Sequence, residues 1–405
     1  MGTVTNIARH SGIAYGGSSS FGEFPIALRV GDTLYMGSQH KAPKAGEAED
    51  VAARTHSAFS SMVGTLSAAG LSMADLMKLH TYYVFDGEGA EVTQYWERMT
   101  DVRLQYLANP GPAATALRVS ASPTRQDLIT IDGIATYAKD RKRLMPAHTW
   151  DWSMPTPFSQ GWLVGNKVYI GGQLSADLKG KAVAPWDAVA QTRNTMEFIR
   201  HVILEAGGTW DDLVALKIAY RHDGRDPEAR KLLETILGIV RETLPKPGPT
   251  LTCFGVDLLY EGLVLEIDGV AVIGEQRKNV AATGSKDWVV TPGFSSGARV
   301  GNEVYIGGTS APGAASLIAQ TEASMERLLR TLAAAEGSPE DLVKINVYFK
   351  GDAAGEANDI QEIVRIVGEY LPANRPVLSV LRVPGLPHDG QSVQIDALAV
   401  DPHHG

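Results

Sequence analysis

Histidine, lysine and asparagine occupy one equivalent place in three similar strands of this chain, at His80, Lys217 and Asn346. The strands read LMKLHTYYVF, LVALKIAYR and LVKINVYFK. Side chains of a strand point alternately to two faces. Leu79, Thr81 and Tyr83 therefore share a face with Leu216, Ile218, Tyr220, Ile345, Val347 and Phe349, and that apolar face is expected against helices. The opposite face carries His80, Tyr82, Lys217, Arg221, Asn346, Tyr348 and Lys350, expected to point inward and toward the seams between copies. Unequal polar residues at one equivalent place suit specialised sites; a wet, internally paired interior without chemistry suits them too. A buried lysine beside a glutamate can shift its pKa and act as base or nucleophile, which singles out Lys217 with Glu266.

Other reactive residues read more plainly. Asp132, Asp268 and Asp396 recur at one position, which points to a structural role. Ser159 and Ser295 can donate hydrogen bonds or attack, but serine in a turn also caps. The single cysteine, Cys253, needs a nearby base to be a nucleophile, and mid-strand it reads as a small core residue. The ten histidines show no H-x-x-x-H or HExxH spacing, and the tail pair His403 and His404 has no evident third ligand. No metal and no cofactor are expected.

The elements that position these residues repeat three times. Val30–Ser38, Val164–Gly172 and Val300–Gly308 each read as a Gly-Asp or Gly-Asn turn followed by a β-branched and aromatic run, a hairpin signal. About twenty residues later comes an amphipathic helix, with Phe59, Met62, Val63 and Leu66 in copy one. Copy two has Met196, Ile199 and Ile203; copy three has Met325, Leu328, Leu329 and Leu332. Thr55, Thr192 and Thr321 recur within these helices. Ser72, Thr209 and Ser338 precede Asp75, Asp212 and Asp341 by three residues, a capping signal. A strand, a second helix, a turn ending at Pro112, Pro249 or Pro376, and two closing strands complete a β-β-α-β-α-β-β order. The copies are placed at 1–140, 141–276 and 277–405, with polar linkers near 139–150 and 275–288.

All three copies resemble the Rid/YjgF family of reactive-intermediate (enamine/imine) deaminases over nearly the whole chain. The hairpin VGN-VYIGG, the AAG-S-DDLV-K stretch and the closing EIDGVAV strand carry the resemblance, with Pro157-Phe158-Ser159-Gln160 as the family's Pro-aromatic-Ser-Gln element. Copy three has the looser Phe294-Ser295-Ser296-Gly297, and copy one has Glu23-Phe24-Pro25-Ile26. The resemblance implies an α+β fold of three fused chorismate-mutase-like domains, a single-chain pseudo-trimer with a central β-barrel, outer helices and a cleft at each seam. It also implies that Phe158, Ser159 and Cys253 line a substrate cleft, joined by His80, Tyr82, Asn346 and Tyr348 from the inward strand face.

The chain departs from the family where the substrate is held. The arginine that binds substrate carboxylate falls on Ala114, Leu251 and Leu378, so all copies lack it. The acid–base glutamate falls on Thr130, Glu266 and Gln394, and the nearby cysteine on Ala116, Cys253 and Val380, so copy two alone keeps both. Arg118 and Arg382 lie four residues beyond the lost arginine, about 13 Å of strand. They are expected either to bind an anion deeper in the cleft or to pair with Asp132 and Asp396.

Composition sets the outer bounds. Apolar residues make 44% and charged residues 20%, ordinary for a globular protein, and the net charge is −9. No basic run supports phosphate contacts, which argues against nucleic acid and against the RNA cleavage sometimes ascribed to the family. One cysteine suits a reducing compartment, no h-region begins the chain, and no apolar stretch spans a membrane. The expectation is a cytoplasmic chain acting on a small-molecule substrate, a monomer serving as its own trimer and open to further self-association. Its function is expected to be hydrolysis or deamination of an imine, enamine or cyclic amide at an inter-domain cleft; the alternative is a non-catalytic binding module.

Overall fold

A computed structural model describes residues 5–8, 13–16, 21–40, 50–121, 124–147, 150–281, 284, 288, 289 and 291–403. His404 of the tail pair lies outside the described residues. Copy one comprises β1 (Thr5–Ala8), β2 (Ile13–Gly16), β3 (Ala27–Val30), β4 (Thr33–Gln39), α1 (Val51–Ala68), β5 (Leu76–Tyr83), α2 (Ala90–Arg103), β6 (Ala113–Arg118) and β7 (Ile129–Thr136). Copy two comprises β8 (Arg141–Leu144), β9 (Gly161–Val164), β10 (Lys167–Gln173), α3 (Ala188–Glu205), β11 (Leu213–Arg221), α4 (Asp226–Thr243), β12 (Thr250–Val256) and β13 (Leu265–Val272). Copy three comprises β14 (Lys278–Val280), β15 (Gly297–Val300), β16 (Glu303–Thr309), α5 (Leu317–Ala334), β17 (Leu342–Phe349), α6 (Glu356–Glu369), β18 (Val377–Arg382) and β19 (Val393–Val400).

The chain is thus three similar α+β units, with sheet orders β1-β2-β3-β4-β7-β5-β6, β12-β11-β13-β10-β9-β8 and β14-β15-β16-β19-β17-β18. The edge strands β6, β12 and β18 run parallel to their neighbours through helical crossovers, and every other pairing is antiparallel. Copies two and three each hold one more strand than the expected five, because β8 and β14 lie in segments that read as linkers, and copy one holds two more, β1 and β2. β8 reads Arg-Lys-Arg-Leu with only Leu144 buried, and a charged edge strand has the composition of a linker.

The repeated signals have repeated jobs. Gly31, Gly165 and Gly301 take φ of +56°, +58° and +53° in the hairpin turns, a conformation open to glycine at no steric cost. Asp75, Asp212 and Asp341 accept the backbone N–H of Ser72, Thr209 and Ser338 at 3.0, 2.7 and 2.8 Å, closing capping boxes on single helical turns. Thr55, Thr192 and Thr321 donate their hydroxyls to the carbonyls of Val51, Ala188 and Leu317 at 2.7, 2.6 and 2.8 Å, so a buried hydroxyl is satisfied within its own helix.

Contacts between copies run in a cycle. β6 packs on β10, β12 on β16, and β18 on β4. Separate apolar clusters fill the three seams: Met77, Ala113, Trp162 and Tyr169; Val214, Val272, Ala298, Val300 and Tyr305; and Leu28, Val30, Tyr35, Val343 and Val377. In β4, β10 and β16 the ladder to β7, β13 and β19 shifts register at Met36/Gln39, Ile170/Gln173 and Ile306/Thr309. Gly37, Gly171 and Gly307 sit in these bulges. A Cβ there would stand 2.7, 3.2 and 2.8 Å from the carbonyl oxygens of Leu378, Ala114 and Leu251, so glycine is what lets the neighbouring strand approach.

Candidate functional site at the seam between copies one and two

The inward strand face is a buried charge network. Asp268 accepts His80 Nε2 at 3.0 Å and the Thr115 hydroxyl at 2.9 Å, and pairs with Lys78 Nζ at 3.2 Å. Asp132 faces His80 Nδ1 at 2.9 Å, Lys344 at 3.2 Å and the Ser379 hydroxyl at 3.1 Å. Asp396 takes Lys217 at 3.0 Å and Asn346 Nδ2 at 2.6 Å. Each aspartate thereby binds its own copy and the preceding one in the cycle, or, for Asp268, the preceding one alone. Burial alone would raise the Asp132 and Asp268 pKa values, but Lys344, Lys78 and His80 hold both well below the ordinary range. Tyr82 and Tyr348 complete this interior, their hydroxyl pKa values raised by burial.

Lys217 belongs to this network. It donates to the Tyr348 hydroxyl at 3.0 Å, and no bond among the described residues joins it to Glu266. Burial opposes its charge, yet Asp396, Tyr82 and Asp268 hold its pKa above the ordinary lysine value. That protonated state suits an ion pair and is at odds with the expected base or nucleophile.

Glu266 occupies a different environment on the same strand. It lies opposite Ala219 in the ladder, 3% exposed, and its carboxylate accepts the backbone N–H of Ala116 across the seam. A Cβ on Gly172 would overlap the carboxylate, so the glycine of the β10 bulge makes the space it fills. Oε1 has no hydrogen-bond partner among the described residues. Burial, reinforced by the Asp268 charge, pushes its pKa up to about 8 against the opposing effects of Ala116 and Lys78. Copy three places Gln394 in the same relation, with Nε2 donating to the Cys253 carbonyl and Gly308 beneath it.

The remaining expected site residues have mostly structural surroundings. Ser159 donates to the Gly111 carbonyl at 2.6 Å and accepts Arg143 Nε at 3.0 Å; Ser295 makes the matching bond to Gly248 at 2.8 Å. Both serines tie one copy to the turn of the preceding copy. Phe158 packs in a buried aromatic cluster, 5.5 Å from Trp150 and 5.8 Å from Trp152 between ring centroids. Cys253 lies in the copy-two core, where burial raises its thiol pKa far above the ordinary value.

Arg118 and Arg382 pair with neither Asp132 nor Asp396. Arg118 stands opposite Tyr83, and Thr115 opposite His80, so Arg118 is on the face away from Asp132. Arg118 bonds instead to Asp257 and to the Gly87 carbonyl at 2.8 Å; Arg382 bonds to Glu356 at 2.8 Å and to the Ser120 carbonyl at 3.2 Å. Both open onto a basin of about 520 Å³ at the ends of β6, β11 and β12. All three copies line it, through Arg118 and Val92, through Trp186, Arg221 and Tyr260, and through Arg382. Burial chiefly raises the Tyr260 pKa, against the hydrogen bonds it makes to Ser153. Trp186 was not singled out by sequence; its only signal was a large aromatic just before a helix.

A sequence profile of the family described as Endoribonuclease L-PSP matches residues 153–273 and 287–401. The chain belongs to that family. Similar solved structures include a member of the YjgF/YER057c/UK114 family from Mycobacterium tuberculosis, 26% identical over 31% of this chain and 100% of that one, with a TM-score of 0.26. RidA from the Antarctic bacterium Psychrobacter sp. is 26% identical over 30% of this chain and 100% of its own, with a TM-score of 0.26. A chorismatase is 16% identical over 66% of this chain and 80% of that one, with a TM-score of 0.48. The three tandem units are Rid-like domains, and the matched segments cover the second and third.

Proposed function

We propose that the chain hydrolyses a C–N bond of a small imine, enamine or cyclic amide at the seam between copies one and two, with Glu266 as the proton donor. The observation carrying this is the Glu266 carboxyl, buried, with one oxygen unpartnered among the described residues and a pKa pushed up to about 8. A carboxyl that keeps its proton at neutral pH can protonate a substrate nitrogen as water adds to the carbon. The second proton of the added water passes to the nitrogen, the tetrahedral adduct collapses to a carbonyl and an amine, and the carboxylate recovers the remaining hydroxyl proton. Lys217, Asp396, His80 and their partners hold the strands in place and take no step themselves. Family membership supports a protein that acts on or binds a small molecule. A binding protein without turnover is the second reading, favoured by Glu266 being 3% exposed and outside the lining of the basin.

The test is a screen of the purified protein against imines generated in situ and against cyclic amides, repeated with Glu266→Gln. Turnover that falls by two or more orders of magnitude in the variant supports the proposal. Turnover unchanged by Glu266→Gln removes Glu266 from the chemistry, and binding without turnover in either protein favours the second reading.

A further inference from the structure

Trp186 has an unusual combination of features for a residue in a loop. It is 53% exposed, it lines the 520 Å³ basin, and its φ is +65°, a conformation strained for a bulky side chain. The fold holds it there. Its N–H donates to the Gly262 carbonyl at 2.8 Å, and the fully buried Gln191 donates to the carbonyls of Gly262 at 2.7 Å and Ala184 at 2.9 Å while accepting the Val264 N–H at 2.9 Å.

Copy three keeps this clamp without the tryptophan. Gln320 donates to the carbonyls of Gly390 at 2.7 Å and Ala314 at 3.2 Å and accepts the Ser392 N–H at 2.7 Å. Counting back from Thr192 and Thr321, the residue matching Trp186 is Ala315. The architecture therefore does not require an aromatic at this point, and the strained, exposed indole has no packing reason to be there.

Arg221 lies over this ring, its guanidinium carbon 4.9 Å from the indole centroid. It differs from the other basin arginines, since Arg118 is held by Asp257 and Arg382 by Glu356. Its nearest carboxylate among the described residues is Asp223 at 4.0 Å, and Asp223 is already engaged by Arg225, which holds the Asp223 pKa down at about 2. The guanidinium thus faces the basin with bonding capacity to spare.

We infer that Trp186 and Arg221 form a ligand platform in the basin, the indole stacking on a flat unsaturated or aromatic body and the guanidinium binding its carboxylate. The ligand is a monoanion, because Asp86, Glu88 and Glu261 also line the basin and would repel a second negative charge. A planar acid gains from both an aromatic face and a bidentate fork. The platform would give copy two an anion site in place of the arginine lost at Leu251. The inference names the substrate class for the proposed hydrolysis and rests on that proposal for its purpose, though its test does not.

The probe is 2-naphthoate, titrated calorimetrically into the full-length protein, Trp186→Gly, Arg221→Gln and Glu266→Gln. Glycine relieves the left-handed backbone, so Trp186→Gly is expected to keep or raise the Tm while weakening 2-naphthoate at least tenfold. Arg221→Gln should weaken it similarly, and Trp186→Tyr should recover most of the affinity. The uncharged 2-naphthamide, the saturated decahydro-2-naphthoate and the dianion 2,6-naphthalenedicarboxylate should each bind at least fivefold less tightly. Glu266→Gln should leave binding within twofold of the parent. Absence of 2-naphthoate binding, or equal binding by Trp186→Gly and the parent, overturns the platform. A platform that fails while Glu266→Gln still abolishes turnover leaves the proposed hydrolysis standing.

Discussion

Glu266→Gln also gives a stability test that needs no substrate. The folded carboxyl titrates at about 8 instead of the ordinary 4.5, so the native state keeps a proton that the unfolded chain releases. A raised carboxyl pKa means stability is undiminished below 4.5 and is lost as pH rises toward 8. At about 1.4 kcal/mol for each tenfold change in proton affinity, the loss amounts to about 5 kcal/mol by pH 9. Glutamine has the shape of the protonated acid and no charge to bury. The chain already holds this arrangement in copy three, where Gln394 donates to the Cys253 carbonyl over Gly308. In copy two the new amide can donate to the Ala116 carbonyl in the same way. Denaturant unfolding of both proteins from pH 4.5 to pH 9 should give curves that coincide at the acid end and diverge above it, the variant being the more stable by several kcal/mol at pH 9. Parallel profiles, or a variant less stable at pH 9, would refute the claim that Glu266 is buried with its proton.

Further outcomes follow from the geometry. Asp268→Asn removes the buried negative charge that Lys78 and His80 face and should lower stability by about 3–5 kcal/mol, read by denaturant unfolding. Because the Asp132 and Asp268 pKa values are depressed, their contribution is present above the ordinary aspartate value and fades as pH falls below about 4, so the parent should lose stability there and Asp268→Asn less steeply. Gly307→Ala puts a Cβ 2.8 Å from the Leu251 carbonyl oxygen and should lower the Tm through the seam between copies two and three, whereas alanine at Gly64, whose Cβ would meet nothing within 4 Å, should not. Cys253 should resist iodoacetamide at pH 8 in the native protein and react on unfolding; rapid native labelling would contradict its burial.

Much of the site's geography follows from strand parity. His80, Lys217 and Asn346 face inward because alternation fixes which side chains share a face, and the threefold Asp132, Asp268 and Asp396 each meet a lysine across a seam. Parity also shows why Arg118 cannot reach Asp132, an odd number of residues separating it from Thr115 on the inward face. The charged edge strand β8 escaped notice because polarity at a sheet edge and in a linker look alike.

The sequence alone determined the three copies, their hairpins, caps and helices, because those depend on local spacing and on residue identity. Tertiary structure decided which charges meet. It sent Lys217 to Asp396 and Tyr348 of copy three, left Glu266 alone against Gly172 and Ala116, and joined Trp186 to Arg221 over a basin lined by all three copies. A pKa or an ion pair depends on through-space neighbours and burial, and those neighbours here lie far along the chain, Lys217 meeting Tyr348 and Asp396 at separations of 131 and 179 residues.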